Sequence, residues 1–173
     1  MKTPIRSLRI ESLWNGEPVP EDHWITVHLL DAGDAIELRI DAPFYGDPGP
    51  PDSAIGPTPM LWKHEVVEVF ISGMDDRYTE IEMAPSGHHL VIQLRGVRNA
   101  VAELLPLDFE ARVRANRWRG VARIDRSLLP DGPWRINAAA IHGSGADRAY
   151  LSCAALPGSA PDFHQPDRFL RVN

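Results

Sequence analysis

The stretch that decides the fold is LWKHEVVEVFISGMDDRYTEIEMAP, which runs from Leu61 to Pro85. Two apolar runs within it, 64–71 and 77–83, alternate with the two-residue period of a β-strand. The intervening SGMDD (72–76) is rich in turn-forming residues, so the stretch predicts a β-hairpin. These strands nevertheless carry Glu65, Glu68, Glu80 and Glu82. Carboxylates in strands this apolar are the first candidates for a functional site.

Strand parity, meaning which alternate residues of a strand point to the same face, divides these glutamates into two groups. Burying the aliphatic side chains of both strands against a core fixes which residues point the other way. Glu68, Glu80 and Glu82 then share the opposite face, whereas Glu65 falls on the aliphatic side where the hairpin starts. The parity therefore predicts a cluster of three carboxylates on one face of a sheet.

A third strand is predicted next to this hairpin. PSG (85–87) is a turn sequence, and HHLVIQLR (88–95) follows it. With the leucines and Ile92 of this strand on the aliphatic face, His89, Gln93 and Arg95 join the glutamate face. We therefore expect these three side chains beside the carboxylates.

The predicted patch has the character of a ligand site. Like charges on adjacent strands repel by a few tenths to about 1 kcal/mol, so the carboxylates need a basic side chain or a bound cation nearby. A covered polar face with several hydrogen-bonding groups suits a small carbohydrate or another polyol. Trp62, next to a Pro-rich loop, supplies an aromatic wall. The candidate ligand-binding residues are Trp62, Glu68, Tyr78, Glu80, Glu82, His89, Gln93, Arg95, Arg98 and Asn99.

The remainder of the chain reads as β-structure. About ten short alternating runs, separated by turn signals, predict an all-β fold: a two-sheet antiparallel β-sandwich, jelly-roll-like, with few or no helices. One long stretch, APFYGDPGPPDSAIGPTPM (42–60), is too rich in Pro and Gly for regular structure. A length of 173 residues fits a single domain over 1–173.

Composition narrows the classes of partner. The net charge of −6 and the scattered basic residues argue against nucleic-acid binding. No apolar run is long enough to span a bilayer, and the N-terminus lacks the apolar core of a signal peptide. Cys153 is the single cysteine, so no disulfide forms within the chain, which fits a reducing compartment. We therefore expect a cytoplasmic protein with no membrane partner.

Several chemistries remain open at the level of the sequence. No cofactor is expected, although calcium has the oxygen donors of Asp75 and Asp76, or of Asp47 and Asp52. A carboxylate pair such as Glu68 with Glu80 or Glu82 suits glycoside hydrolysis. The chain lacks both the GxSxG and HExxH patterns. A glycoside-acting enzyme and an interaction domain with no small-molecule ligand therefore stand beside the binding protein as alternatives.

The chain resembles family 9 carbohydrate-binding modules and their DOMON-type relatives. The resemblance lies in EVVEVF followed by YTEIEMAPSG, then WRGVARIDRSLLP, WRINAAAIHG and the closing LSCAALPGSAPDFHQPDRF, so it covers most of residues 60–173. Together with GVRN, the runs EVVEVF and PDFH look like an uncharacterised stand-alone branch of that superfamily. The resemblance implies a jelly-roll β-sandwich of sugar-binding ancestry; some DOMON relatives bind haem.

Overall fold

The structure is a computed structural model that describes residues 2–172, and two antiparallel sheets form its framework. Across that range there is no α-helix, and thus none that is long and apolar enough to cross a membrane. The strands are β1 (Thr3–Ile10), β2 (Ile25–Asp31), β3 (Ala35–Pro43), β4 (Val66–Ser72), β5 (Arg77–Met83), β6 (His89–Arg95), β7 (Ala100–Ala102), β8 (Asp108–Arg114), β9 (Arg117–Asp125), β10 (Arg135–His142), β11 (Ala149–Ser152) and β12 (Leu170–Arg171). The predicted two-sheet antiparallel β-sandwich is confirmed, with twelve strands rather than about ten.

The hairpin lies at the centre of the larger sheet. The first sheet has the order β1-β2-β3-β9-β8, and the second has β11-β10-β4-β5-β6-β7 with β12 also paired to β10. β4 is therefore flanked by β10 and β5, and β5 is flanked by β4 and β6. Neither strand of the hairpin has an edge exposed to water.

The aliphatic face of the hairpin packs against the first sheet. Val67, Val69 and Ile71 of β4 join Ile81 and Met83 of β5 in the core between the sheets, each at most 2% exposed. Burying each such side chain contributes about 1.5–3 kcal/mol, so this contact fixes the orientation of both strands. The predicted parity of β4 and β5 is confirmed.

The opposite face of the second sheet is dry as well. A second apolar cluster covers it, built from outward-facing side chains such as Phe70 and Leu90 and from residues of later segments. The chief cover is residues 161–169, here called the C-terminal strap, whose Phe163 and Phe169 rings lie 6.4 and 5.6 Å from the Phe70 ring. The central strands are therefore enclosed from both sides.

The predicted parity of β6 is wrong. Met83 pairs with His89, so His89 points between the sheets, where its ring lies 6.2 Å from the Phe109 ring of β8. Leu90, Ile92 and Leu94 consequently lie on the glutamate face, in the second apolar cluster. The prediction failed because both faces of the second sheet are covered, so the more apolar side of β6, with Leu90, Ile92 and Leu94, need not face the first sheet. The turn decides the register instead, with Gly87 at φ +91° and its N–H donating to the Ala84 carbonyl.

Glu65 anchors the Pro-rich loop rather than joining the other glutamates. Its carboxylate accepts hydrogen bonds from the backbone N–H groups of Tyr45 (3.0 Å) and Gly46 (2.7 Å), and the residue is buried. Further along, Thr58 N–H donates to the His89 carbonyl and His89 N–H donates to the Gly56 carbonyl. The loop is therefore docked on the sandwich at both ends.

Replacing Glu65 with alanine tests this anchoring. Glu65→Ala leaves two backbone donors without their acceptor, so we expect the free energy of unfolding to fall by about 1–3 kcal/mol in urea titrations. Glu110→Ala, at an exposed position of β8, is the control and should change it by less than about 0.5 kcal/mol. Equal effects of the two variants would contradict the anchoring role.

Candidate functional site

Glu68, Glu80 and Glu82 form one compact group on the outer face of the second sheet, here called the glutamate cluster. Glu68 pairs directly with Glu82 across β4 and β5, and Glu80 lies two residues from Glu82 on the same face. One carboxylate oxygen from each residue lies within 4.8 Å of those of the other two. The relative exposures are 2%, 4% and 0%, so the predicted cluster exists and is buried rather than solvated.

The surroundings of the cluster are apolar. On the strands next to each carboxylate lie Ala139 beside Glu68, Ile92 beside Glu80 and Leu90 beside Glu82. Neither carboxylate oxygen of Glu82 has a partner in normal hydrogen-bond geometry among residues 2–172, although the Glu80 carboxyl and the Trp62 backbone N–H are close enough to affect its pKa. A buried polar group without a partner is costly, so this site carries a free-energy penalty that an ordinary core does not.

Burial raises the pKa of all three carboxyls, and repulsion within the cluster adds to the rise at Glu68 and Glu82. Burial is the main cause for each, and it raises the pKa of Glu80 to about 7, with a smaller contribution from Glu103. For Glu68 the charge of Glu80 adds to burial, and for Glu82 the charges of Glu68 and Glu80 do so; both pKa values lie well above the usual range. Among nearby cations, Arg148 only partly offsets the rise at Glu68, and Arg98 that at Glu80.

The basic groups near the cluster are engaged elsewhere. Arg98 pairs with Asp162 at 2.7 Å, and Arg148 donates to the backbone carbonyls of Trp62, Lys63 and Gly143. His164 places Nε2 3.9 Å from a Glu80 oxygen, but burial lowers the pKa of this imidazole to about 4. The ring is thus uncharged near neutral pH, and the cluster has no directly bonded cationic side chain in the part of the chain that the structure describes.

A cleft opens onto the cluster. It encloses about 340 Å³, and Glu68 and Glu80 lie at its floor. Its walls include Trp62, which is 39% exposed, and the half-buried Tyr150. Arg98, Asp162 and His164 also line it. A larger cavity of about 670 Å³ lies near the β4–β5 turn, but it contains none of the three glutamates.

The structure separates the predicted ligand-binding residues into two sets. Trp62, Glu68, Glu80 and Arg98 line the cleft. Glu82 belongs to the cluster but does not line the cleft. Tyr78 lies in the second apolar cluster, and its hydroxyl is 2.8 Å from Nδ1 of His164. The structure does not bring His89, Gln93, Arg95 or Asn99 to the cleft.

The excluded residues lie elsewhere for identifiable reasons. The register of β6 turns His89 and Gln93 toward the first sheet, where the Gln93 amide donates to the Leu128 carbonyl. Arg95 pairs with Arg77 at the exposed end of β6, and the Asn99 amide donates to the Arg95 carbonyl in the following turn. His89, Gln93 and Arg95 were predicted at the site because the predicted parity of β6 was wrong. Asn99 was predicted there because it follows β6 closely in sequence.

Among the cleft residues that reasoning from sequence pattern missed are Tyr150, Asp162 and His164. Tyr150 lies in β11, and the other two lie in the C-terminal strap, whose Asp162 carboxylate accepts the His164 N–H. The run PDFH (161–164) was the available signal, since it belongs to the resemblance to carbohydrate-binding modules. Alternation within strands carries no information about a segment that has no strand.

The raised pKa values predict a pH dependence of stability in metal-free buffer. Because folding raises the pKa of Glu80 from 4.5 to about 7, the folded state binds a proton more tightly than the unfolded state. The contribution of this carboxyl to the free energy of unfolding is therefore fully present below about pH 4.5, and it is lost as pH rises through 7. Urea titrations with EDTA across this range should show that decline.

Removing one carboxylate charge should weaken that decline. Glu82→Gln deletes one buried charge that repels Glu68 and Glu80, so we expect a flatter profile and a more stable protein at pH 8 than wild type. The exposed Glu110→Gln is the matched control and should keep the wild-type slope. Parallel profiles for Glu82→Gln and wild type would show that the cluster does not control this dependence.

Comparison with solved structures shows that the fold of this chain is shared by other β-sandwich proteins. A putative carbohydrate-binding protein from Bacteroides uniformis superposes with a TM-score of 0.72 at 17% identity, over 96% of this chain and 85% of that one. A family 9 carbohydrate-binding module from Caldicellulosiruptor kristjanssonii, in complex with glucose, matches with a TM-score of 0.51 at 12% identity, over 75% and 66%. At these identities the likeness concerns the fold, and it confirms the resemblance seen in the sequence.

Comparison with curated sequences identifies the family. No family model matches the chain. The UPF0462 protein C4orf33 homolog of Danio rerio is 37% identical over 169 residues, which is 92% of this chain and 85% of the relative. UPF0462 protein C4orf33 of Homo sapiens is 35% identical over 173 residues, or 95% and 86%. With this identity over almost its whole length, the chain belongs to the UPF0462 family.

Proposed function

We propose that the protein binds a small carbohydrate or another polyol in the cleft above the glutamate cluster. The observation that carries this proposal is the composition of the cleft: aromatic walls stand over a floor of buried carboxylates. A volume of about 340 Å³ lies within the range typical of small-molecule sites, about 300–1,000 Å³.

The aromatic walls suit the apolar face of a sugar ring. Trp62 retains 39% of its exposure although its backbone is held in the turn Leu61–Lys63. Tyr150 lies on β11, with its ring 6.2 Å from the buried Phe163 ring, which limits its movement. Rigid aromatic side chains bury a large apolar area at little cost in conformational entropy.

The polar groups suit the hydroxyl groups of the same ligand. The carboxyls of Glu68 and Glu80 accept hydrogen bonds when ionised and also donate when protonated. Arg98 and Asp162 at the rim supply donors and acceptors respectively, and they are already paired at 2.7 Å. A polyol replaces the hydrogen bonds that the buried carboxyls lack, which makes its binding favourable at this floor.

The fold comparisons are consistent with the proposal, but the proposal depends on the residues of the cleft. The Bacteroides uniformis protein is described as a putative carbohydrate-binding protein, and the Caldicellulosiruptor kristjanssonii module was solved with glucose and with cellotriose. A sandwich of this fold is therefore compatible with sugar binding, while the residues of the present cleft determine the ligand.

Calorimetric titration with a panel of mono- and oligosaccharides tests the proposal. We expect at least one sugar to bind wild type, and Trp62→Ala to weaken that binding by about tenfold or more through the loss of a wall. Trp24→Ala is the matched control, because this half-buried tryptophan lies outside the cleft and donates to the Val19 carbonyl. The control should bind as wild type does.

Two outcomes would contradict the proposal. The first is no binding to any sugar of the panel, and the second is equal affinity of wild type and Trp62→Ala. Assays on aryl glycosides separate binding from catalysis: we expect no turnover by wild type. Turnover that is lost in both Glu68→Gln and Glu80→Gln would instead identify a hydrolase with a carboxylate pair.

A further inference from the structure

When its carboxyls are ionised, the glutamate cluster has no Lys or Arg side chain paired with it among residues 2–172. Three carboxyls lie within 4.8 Å of one another on a dry sheet face. Arg98 and Arg148 bond other partners, and Nδ1 of His164 is engaged with the Tyr78 hydroxyl at 2.8 Å. Buried charges in proteins are normally paired or coordinate a metal ion, and Glu82 makes neither an ion pair nor a hydrogen bond of normal geometry among residues 2–172.

The unpartnered carboxylate of Glu82 points to a ligand that is shared by all three residues. Both of its oxygens are buried and free of hydrogen bonds among residues 2–172, although the strand around it is fully paired. A carboxylate in this state lacks the hydrogen bonds of normal geometry that would offset its burial. A cation between the three side chains supplies the missing interaction.

The distances fit a single ion. Oxygen ligands of calcium lie about 2.3–2.6 Å from the ion, so ligand oxygens on one ion are separated by at most about 5 Å. The cluster meets this limit, since one oxygen from each residue lies within 4.8 Å of those of the other two. Backbone pairing of Glu68 with Glu82 fixes two of the three residues relative to each other, so little rearrangement is needed.

The arrangement also provides a closed side and an open side. Glu82 is 0% exposed and lies away from the cleft lining, whereas Glu68 and Glu80 face the cleft. An ion held among them has protein on one side and the cleft on the other. Water or a ligand hydroxyl entering from the cleft completes the coordination, as hard cations require.

From these observations we propose that Glu68, Glu80 and Glu82 bind one divalent cation of the hard, oxygen-preferring class, such as Ca²⁺, Mg²⁺ or Mn²⁺. The donor set is three carboxylates with no cysteine, which suits these ions rather than softer ones. The site differs from the calcium donors suggested by sequence alone, because Asp47, Asp52, Asp75 and Asp76 do not belong to the cluster. Ion binding at this site does not depend on sugar binding, since the three carboxylates supply the protein ligands by themselves.

Titration of the full-length, EDTA-treated protein with each ion, in the absence of sugar, tests the inference. We expect calorimetry to show one bound ion per chain for at least one of Ca²⁺, Mg²⁺ and Mn²⁺, together with a rise in the melting temperature. Glu82→Gln should weaken binding by about 100-fold, since even indirect supports of a metal site are worth about 10–100-fold. Zn²⁺ serves as the softer comparison ion.

A matched variant distinguishes the loss of a metal ligand from a loss of folding. Glu65→Gln replaces another buried glutamate, one that accepts backbone hydrogen bonds outside the cluster, and should bind the ion like wild type. Glu82→Gln should keep the wild-type circular dichroism spectrum and remain at least as stable as wild type without metal. Loss of ion binding in a folded, stable variant then reports on the ligand itself.

The results that would overturn the inference are distinct from those that would overturn the sugar proposal. No bound ion, unchanged affinity in Glu82→Gln, or tight binding of Zn²⁺ alone would each reject the proposed site. Failure of every sugar to bind, with one hard cation still bound by the cluster, would reject only the proposed function. Terbium luminescence sensitised by Trp62, and displaced by Ca²⁺, gives a second readout at the cleft.

Discussion

Coverage of the second sheet on both faces is the constraint on which the rest of this structure depends. One face packs on the first sheet, and the other lies under the C-terminal strap and the turn that carries Leu61. Because water is removed from both faces, β4, β5 and β6 carry apolar residues at both parities. The same coverage places the glutamate cluster in a dry environment, where each charge interacts far more strongly than it would on a solvated sheet.

The glutamate cluster is therefore a local violation of the rules that build the surrounding core. Its side chains replace apolar residues at the centre of a cluster that contains Phe70, Leu90 and Ile92. Natural proteins tolerate such conflicts mainly at functional sites, where the rest of the fold offsets the cost. Here the offset comes from the separate core between the sheets, to which the three glutamates do not belong.

The walls of the cleft are held in place by contacts between segments that are distant in sequence. Arg148 links the β10–β11 connection to the turn below Trp62 through the carbonyls of Trp62 and Gly143. On the other wall, the Tyr78 hydroxyl contacts His164 and accepts the backbone N–H of Arg98. A cleft with both walls tied in this way is preorganised, so a ligand loses little of its binding free energy to ordering the protein.

Much of the fold and about half of the site were accessible from the sequence. The alternation in 64–71 and 77–83 determined the hairpin and the shared face of Glu68, Glu80 and Glu82, because only one parity of these strands buries an unbroken aliphatic set. The turn signals and the many short alternating runs determined the all-β class. Trp62 was predicted by its position beside the Pro-rich loop.

Only the tertiary structure decided the remainder. Both faces of β6 are covered, so the register set by the turn at Gly87, and not which side of the strand is more apolar, turned His89 and Gln93 away from the carboxylates. His164 meets Tyr78 across 86 residues of sequence, a contact that no local period records. Whether three glutamates on one face are a wet surface or a buried cluster depends on what covers that face. Burial is a property of the folded chain, whereas alternation is a property of the sequence.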